Sequence, residues 1–266
     1  MIKYEFIDKA LWFPLEKILV ISDLHIGYED SLNASGVYIP RSQFEEIISD
    51  LKKIFLSLGK RSRTPKINEI IINGDLKHEF GTISQQEWRE TLGILDFLQE
   101  NSKKIVLVKG NHDSILEPIA KRRGIKLEDY YLQKGILFMH GNILSETSKL
   151  KNFDSTQKHE VSDEESKLIK SKETVLVVLG HRHPAIVLAD KYKQERYKCF
   201  LVGNWKSKKI IILPSFFPLV EGSEIGDIDE GKFIIPETKL EDFKIYAVGD
   251  KVYDFGKLKK IGKLSS

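Results

Sequence analysis

Lys17-Ile18-Leu19-Val20-Ile21-Ser22-Asp23-Leu24-His25 decides the fold class. Four aliphatic residues in a row are too few for a helix, and they stop abruptly on polar side chains. Such a run reads as a buried strand whose end opens into a loop. The same form recurs at Ile67–Asn73 (INEIIIN), Lys104–Lys109 (KIVLVK), Ile136–Met139 (ILFM) and Thr174–Leu179 (TVLVVL). Longer amphipathic stretches lie between these runs. After Pro40, the residues Phe44, Ile47, Ile48, Leu51, Ile54, Phe55 and Leu58 repeat at helical spacing, with Pro40 placed for a first helical turn. Ser84 opens a second helix bearing Trp88, Leu92, Leu95 and Leu98, and Glu87 completes a capping box. Strands alternating with crossover helices make an α/β fold.

Beyond this frame the chain changes character. Ser148 to Lys172 is polar and charged, with a weak helix at Asp163–Ile169, and reads as an exposed excursion. From Ala185 onward short β-like runs are separated by expected turns at Gly203-Asn204, Gly222-Ser223, Gly231-Lys232 and Gly249-Asp250, which suggests a second sheet. One domain over residues 1–266 is expected, with a small C-terminal extension from about residue 215.

Composition narrows the function classes. Hydrophobic residues at 41% and charged residues at 30% fit a globular protein and exclude disordered and fibrous ones. A net charge of +3 is too small a field to demand nucleic acid. Local basic clusters, Lys60-Arg61-Ser62-Arg63, Lys121-Arg122-Arg123, Lys206 with Lys208-Lys209, and Lys257 with Lys259-Lys260, could touch phosphate or be solvated surface. The single cysteine, Cys199, excludes an internal disulfide and a cysteine zinc site. No long apolar run or cleavable signal pattern opens the chain, so a cytoplasmic protein without a membrane role is expected.

The histidines carry the functional signal. Six of the seven, His25, His78, His112, His140, His181 and His183, sit at or just past a strand end, while His159 falls in the charged excursion. Five segments gather there: Asp23-Leu24-His25, Gly74-Asp75, Gly110-Asn111-His112-Asp113, His140-Gly141 and Gly180-His181-Arg182-His183. Strand ends of an α/β sheet converge on one rim, where distant segments meet. Alternation along an extended chain would let Asp23 act with His25, and His181 with His183. Imidazole and oxygen donors without thiolate suit manganese, iron, zinc or nickel, and there are more donors than one ion needs. A two-metal site that polarises a phosphoryl oxygen and activates water follows. A lone histidine at a strand end is ordinarily a hydrogen-bonded loop residue; five such segments in order are not.

In order and wording, D-x-H, GD, GNH, H and GHxH resemble the calcineurin-like metallophosphoesterase superfamily. The resemblance implies two packed mixed β-sheets flanked by helices in four layers. It implies a first divalent ion on Asp23, His25 and His183, a second on Asn111, His140 and His181, and Asp75 bridging both. It casts His112 as the general acid rather than a ligand, a distinction the residues alone leave open. Manganese is the first expectation for both ions. His78, following Gly74-Asp75-Leu76-Lys77, is similar to the SbcD-type nucleases, where a histidine at that place helps to position the scissile phosphate; a loop hydrogen-bonder is the plain alternative. GYE at Gly27–Glu29, GDLKHEF, GHRHP and Leu213-Pro214-Ser215-Phe216 are similar to short SbcD-related archaeal phosphoesterases and to bacterial relatives encoded beside DNA ligases. About 80 residues follow His183, fewer than full-length nucleases use for DNA recognition.

The expected activity is therefore phosphodiester hydrolysis of DNA, single-stranded in particular, or of RNA. A small nucleotide diester or a phosphomonoester is the alternative substrate, which the modest charge favours. An idle scaffold with the same fold is a third reading, against which the intact ligand set argues. Lys77 and Arg182 are expected to face solvent, and Tyr28, Phe80 and Trp205 to pack in the core rather than stack a base. Asp113 could orient a ligand or cap the following helix.

Overall fold

The computed structural model describes residues 2–61, 67–81, 83–142, 163–189, 192–225 and 233–261. His159, most of the charged excursion and the expected Gly231-Lys232 turn lie outside them.

Two sheets face each other. The first runs β1 (Glu5–Ile7), β2 (Ala10–Phe13), β3 (Ile18–Ile21), β4 (Ile67–Asn73), β5 (Ser102–Val108) and β6 (Leu127–Glu128) in spatial order. The β1–β2–β3 meander is antiparallel, and β3, β4, β5 and β6 pair in parallel. The second sheet contains β7 (Tyr131–Gln133), β8 (Ile136–Met139), β9 (Leu176–Leu179), β10 (Pro184–Ala189), β11 (Gln194–Trp205), β12 (Lys208–Ile212) and β13 (Ser223–Glu224), in the order β13-β10-β11-β12-β9-β8-β7. The pair β14 (Lys244–Val248) and β15 (Val252–Lys257) joins it through β11. Both sheets are mixed, as the motif resemblance implied.

Alternation within each aliphatic run explains the layers. Ile18 and Val20 of β3, Ile71 of β4 and Val106 of β5 point inward to meet Ile136, Phe138, Leu176, Val178 and Ile211 of the second sheet. After a short α1 (Tyr28–Ala34) come α2 (Gln43–Arg61) and α3 (Gln85–Asn101), whose Ile47, Leu51, Ile54, Ile94, Leu95 and Leu98 cover the outward-pointing Leu19, Ile21, Ile70, Ile72 and Leu107. Val177, Leu179, Ile210 and Ile212 form the opposite outer face, covered in part by Ile169. Strands buried on both faces must read as unbroken apolar runs.

Several local expectations change. Pro40 lies ahead of α2, outside its first turn, because buried Glu29 accepts from Ser42 N (2.7 Å) and Gln43 N (2.8 Å) and so caps that helix from a distance. Ser84 does cap α3, its Oγ accepting from Glu87 N at 3.0 Å, but the Glu87 carboxylate is engaged elsewhere. Gly203-Asn204 is strand interior, with Phe243 packed where a Gly203 Cβ would stand; the reversal falls at Lys206-Ser207, both left-handed (φ 47° and 62°). Lys206 and Lys208, both partly exposed, bond to Ser166 Oγ, Ser171 O and Thr174 O. No described helix is long and apolar enough to cross a membrane.

Candidate metal centre

The rim where β3, β4, β5, β8 and β9 end carries the candidate ligands. The residues that turn them inward have unusual backbones. Five of the ten described non-glycine residues with positive φ are here: Asp23 (56°), His25 (48°), Asp75 (49°), His181 (66°) and His183 (46°). Each such conformation costs about 1–3 kcal/mol and persists only where surrounding bonds over-determine it. Those bonds are present. Asp23 N donates to Gly74 O (3.0 Å), Leu24 N and His25 N to Asp75 O (2.9 and 3.0 Å), and Ile26 N to Leu76 O (3.0 Å), so the β3–β4 pairing continues past both strands.

Two sets of donors result. Asp23, His25 and His183 form one, with His183 Nε2 3.0 Å from Asp23 Oδ1 and 3.2 Å from His25 Nε2. Asp75, His140 and His181 form the other, with His140 Nε2 3.1 Å from Asp75 Oδ2 and 3.2 Å from His181 Nδ1. Asn111 Oδ1 joins the second set, 3.2 Å from His140 Nε2. Asp75 Oδ2 is also 3.8 Å from His25 Nε2, which places it between the sets. His181 and His183 therefore part company. Their left-handed backbones replace the extended alternation that would have aimed them together, while Asp23 and His25 do share one set.

The surroundings fix which atoms point inward. His140 Nδ1 faces Asn73 O at 3.1 Å, so donation there leaves Nε2 as the inward lone pair. Asn73 itself spans the sheets, its Nδ2 donating to Met139 O (3.0 Å) and Val178 O (3.2 Å). Ser22 Oγ stands 2.5 Å from Asp23 Oδ2, and His181 N donates to the same carboxylate.

Charge makes the donor set one for cations. Asp23 and Asp75 are 0% and 2% exposed, and the described residues that ion-pair with them are all histidines. Burial raises the Asp23 carboxyl, but facing His183 and His140 hold it down at about 2; for Asp75, burial is likewise outweighed by His140 and His25. Burial depresses His25 to about 3, helped by His183, and His181 to about 4, helped by His140. His140 is the converse: against its burial, Asp75 and Asp23 push it up to about 10. Two buried carboxylates without lysine or arginine and several imidazoles kept neutral fit divalent cations well.

His112 and His78 stand at the edge of this centre. His112 Nδ1 bonds to His78 O, leaving Nε2 directed inward, 4.0 Å from Asp75 Oδ2. The His78 ring lies 5.6 Å from that of His25 and 5.3 Å from that of His112, and these three offer ligand atoms within 4.8 Å of one another. Burial lowers the His78 pKa, as does neighbouring His112.

Other expectations fail here. Lys77 is fully buried, not solvated: its Nζ donates to His112 O at 2.6 Å and to Glu79 O. Arg182 is also buried and reaches Glu224 O at 3.1 Å. Asp113 accepts from Leu76 N, Lys77 N and Gly110 N, so it both caps its own turn and ties the two ligand loops together. Phe80 is 57% exposed rather than core. Tyr28 packs half-buried on His78 and Phe217, and Trp205 half-buried on the outer core. Ser22, Asn73 and Glu87 were missed as site residues; Ser22 and Asn73, the polar ends of apolar runs, carried a signal, and Glu87 did not.

Comparison with other proteins places this geometry. No curated protein sequence matches the chain. Among solved structures, a nuclease MPE from Pseudomonas putida superposes with a TM-score of 0.58 at 18% identity, covering 95% of this chain and all of the other. Vacuolar Protein Sorting 29 from Cryptosporidium parvum gives a TM-score of 0.35 at 18% identity, covering 90% of this chain and 97% of that one. Residues 16–210, most of the sequence, match the family model of the calcineurin-like phosphoesterases, and it is to that family that the chain belongs.

Proposed function

We propose that the chain hydrolyses phosphodiester bonds in nucleic acid, DNA single strands or RNA, with two divalent ions, manganese first. One observation carries the reading: two buried donor sets meet at Asp75, and a histidine outside both aims a ring nitrogen at the same point. Asp23, His25 and His183 would hold one ion, Asn111, His140 and His181 the other, and Asp75 both. When bound, the ions supply charge that polarises a phosphoryl oxygen and activates water. His112, its Nδ1 engaged by the His78 carbonyl, offers Nε2 to protonate the departing oxygen. His78, beside it, contacts the scissile phosphate. The resemblance of Gly74–His78 to SbcD-type nucleases and the fold shared with a nuclease support nucleic acid over a small ester.

A manganese-supplemented panel of single- and double-stranded DNA, RNA and mono- and bis-nitrophenyl phosphate tests this, with His112→Ala as control. Strand cleavage that drops about 10²–10⁴-fold in the variant is expected. Nucleic acids left intact while a small ester is hydrolysed would refute the substrate class. Elemental analysis showing no metal after manganese loading would refute the two-ion centre.

A further inference from the structure

Phe80 is the described phenylalanine most open to water, at 57% exposure, yet it is not on a loose loop. The three residues that precede it, and its own carbonyl, are tied down. His78 N and Glu79 N donate to Glu87 Oε1 (2.9 and 3.0 Å), Lys77 Nζ to Glu79 O, and Ser114 Oγ to Phe80 O (2.8 Å). One side of the ring rests on His112, with centroids 3.9 Å apart and planes tilted by 34°. An apolar ring fixed in position, half covered by the candidate acid and otherwise facing solvent, has a free surface beside the reacting group. Folding alone does not account for that. The same atoms would cover His112 equally well with an aliphatic side chain, and a leucine would leave less apolar surface in water.

We propose that Phe80 is a specificity-determining residue, a shelf on which the nucleobase of the departing nucleoside stacks. Its position follows from His112: a group that protonates the leaving oxygen must lie on the leaving side, and Phe80 lies against it. Base–aromatic stacking is sequence-tolerant because every base offers a π-face. The shelf thus selects nucleosides over alkyl or sugar esters without selecting among bases. The inference rests on the nucleic-acid reading above, and the test separates the two.

Wild type, Phe80→Ala, Phe80→Leu and Phe80→Trp would be assayed with manganese on single-stranded oligonucleotides. These carry either four normal bases or one abasic residue, placed on one side or the other of a single cleavable linkage. Phe80→Ala should lower kcat/KM on the normal strand about tenfold or more. That penalty should shrink at least fivefold when the abasic residue is on the leaving side and persist when it is on the other. Phe80→Trp should retain most activity, and Phe80→Leu should resemble Phe80→Ala. Anisotropy with a strand whose cleavable linkage is a methylphosphonate should show the same pattern in affinity without turnover. An equal penalty on all strands, or full activity of Phe80→Leu, would reduce Phe80 to a support for His112 and overturn the inference. Wild type that cleaves no strand at all would instead overturn the nucleic-acid reading on which it rests.

Discussion

Gly110→Ala is the sharpest test of how the candidate metal centre is built. Gly110 has an ordinary backbone (φ −98°), so alanine is not excluded by torsion. It is excluded by space: a Cβ there would lie 2.8 Å from Asp75 Cγ and nearer still to Asp75 Oδ1 and the Asp75 backbone nitrogen. Ordinary carbon contact is about 3.5 Å, so the loops must part by about 0.7 Å at the least. Backbone cannot rotate away as a side-chain tip can. Overpacking of this kind costs about 1–3 kcal/mol, and for a chain of this size each kcal/mol lowers Tm by about 2–4 °C. Asp75 lies between the two donor sets, so the displacement falls on both. Loss of a supporting contact to a ligand costs about 10–100-fold in metal affinity, and misplacement near 1 Å about 10²-fold in rate. Calorimetric manganese titration, a thermal melt and kcat at saturating metal would report all three. Gly59→Ala is the control: Gly59 lies in α2 with nothing near its Cβ position, so alanine should stabilise by about 0.5–1 kcal/mol. Gly110→Ala that binds manganese within threefold of wild type and melts within a degree of it would refute the claim that close loop packing positions Asp75.

Three further outcomes are expected. Lys77→Met should lower stability by about 1–3 kcal/mol, since the carbonyls of His112 and Glu79 lose a charged donor; kcat should fall while manganese affinity stays, and unchanged kcat would count against the role. Manganese at 100 times its Kd should add about 2.7 kcal/mol, raising Tm by about 5–10 °C, and no shift in a melt would mean that no such site forms. Lys198 is part-buried, its Nζ donating to Ser215 O and Phe217 O, and desolvation brings its pKa down to about 7, against about 10.4 in an unfolded chain. The unfolded state binds the extra proton between those values, so stability is lost as pH falls through the window and regained as it rises. The Tm difference between wild type and Lys198→Met should move in favour of wild type from pH 7 to 10, and a flat difference would contradict the shift.

How much of this was legible depended on whether a residue acts through its own character or through another segment. The strands were legible because burial on both faces forces unbroken apolar runs, as at Ile18–Ile21 and Leu176–Leu179. The β1–β2 hairpin was not, because its turn at Asp8-Lys9 uses a left-handed aspartate and no glycine. The donor residues stood out as polar groups ending apolar runs. Lys77, Glu87 and Lys198 did not, because each binds backbone groups of a neighbouring segment, and a lysine that will be wrapped in carbonyls looks like any surface lysine. The Glu87 case is instructive: its spacing from Ser84 fits a capping box, yet the amides of His78 and Glu79 compete for the same carboxylate and win.

The left-handed residues explain how the chain by itself holds the candidate donors in place. Asp23 and Asp75 leave neighbouring parallel strands with φ of 56° and 49°, so both chains turn the same way at the same height. Leu24, Ile26 and Leu76, next to the candidate donors, are wholly buried and anchor those turns in the core, which holds the backbone strain against relaxation. His140, His181 and His183 arrive from the opposing sheet, whose distance from the first is set at this rim by Asn73 bonding to Met139 O and Val178 O. Spacing within each donor set is therefore a property of strand register and of one amide side chain. Register cannot drift without inverting every buried face, so the vulnerable element is the amide. Asn73→Ala removes two buried bonds across the sheets, keeps the backbone carbonyl that His140 Nδ1 meets, and should loosen both donor sets, since each spans the sheets. Calorimetric manganese titration should show weaker binding than in wild type, and unchanged affinity would refute the role of the amide.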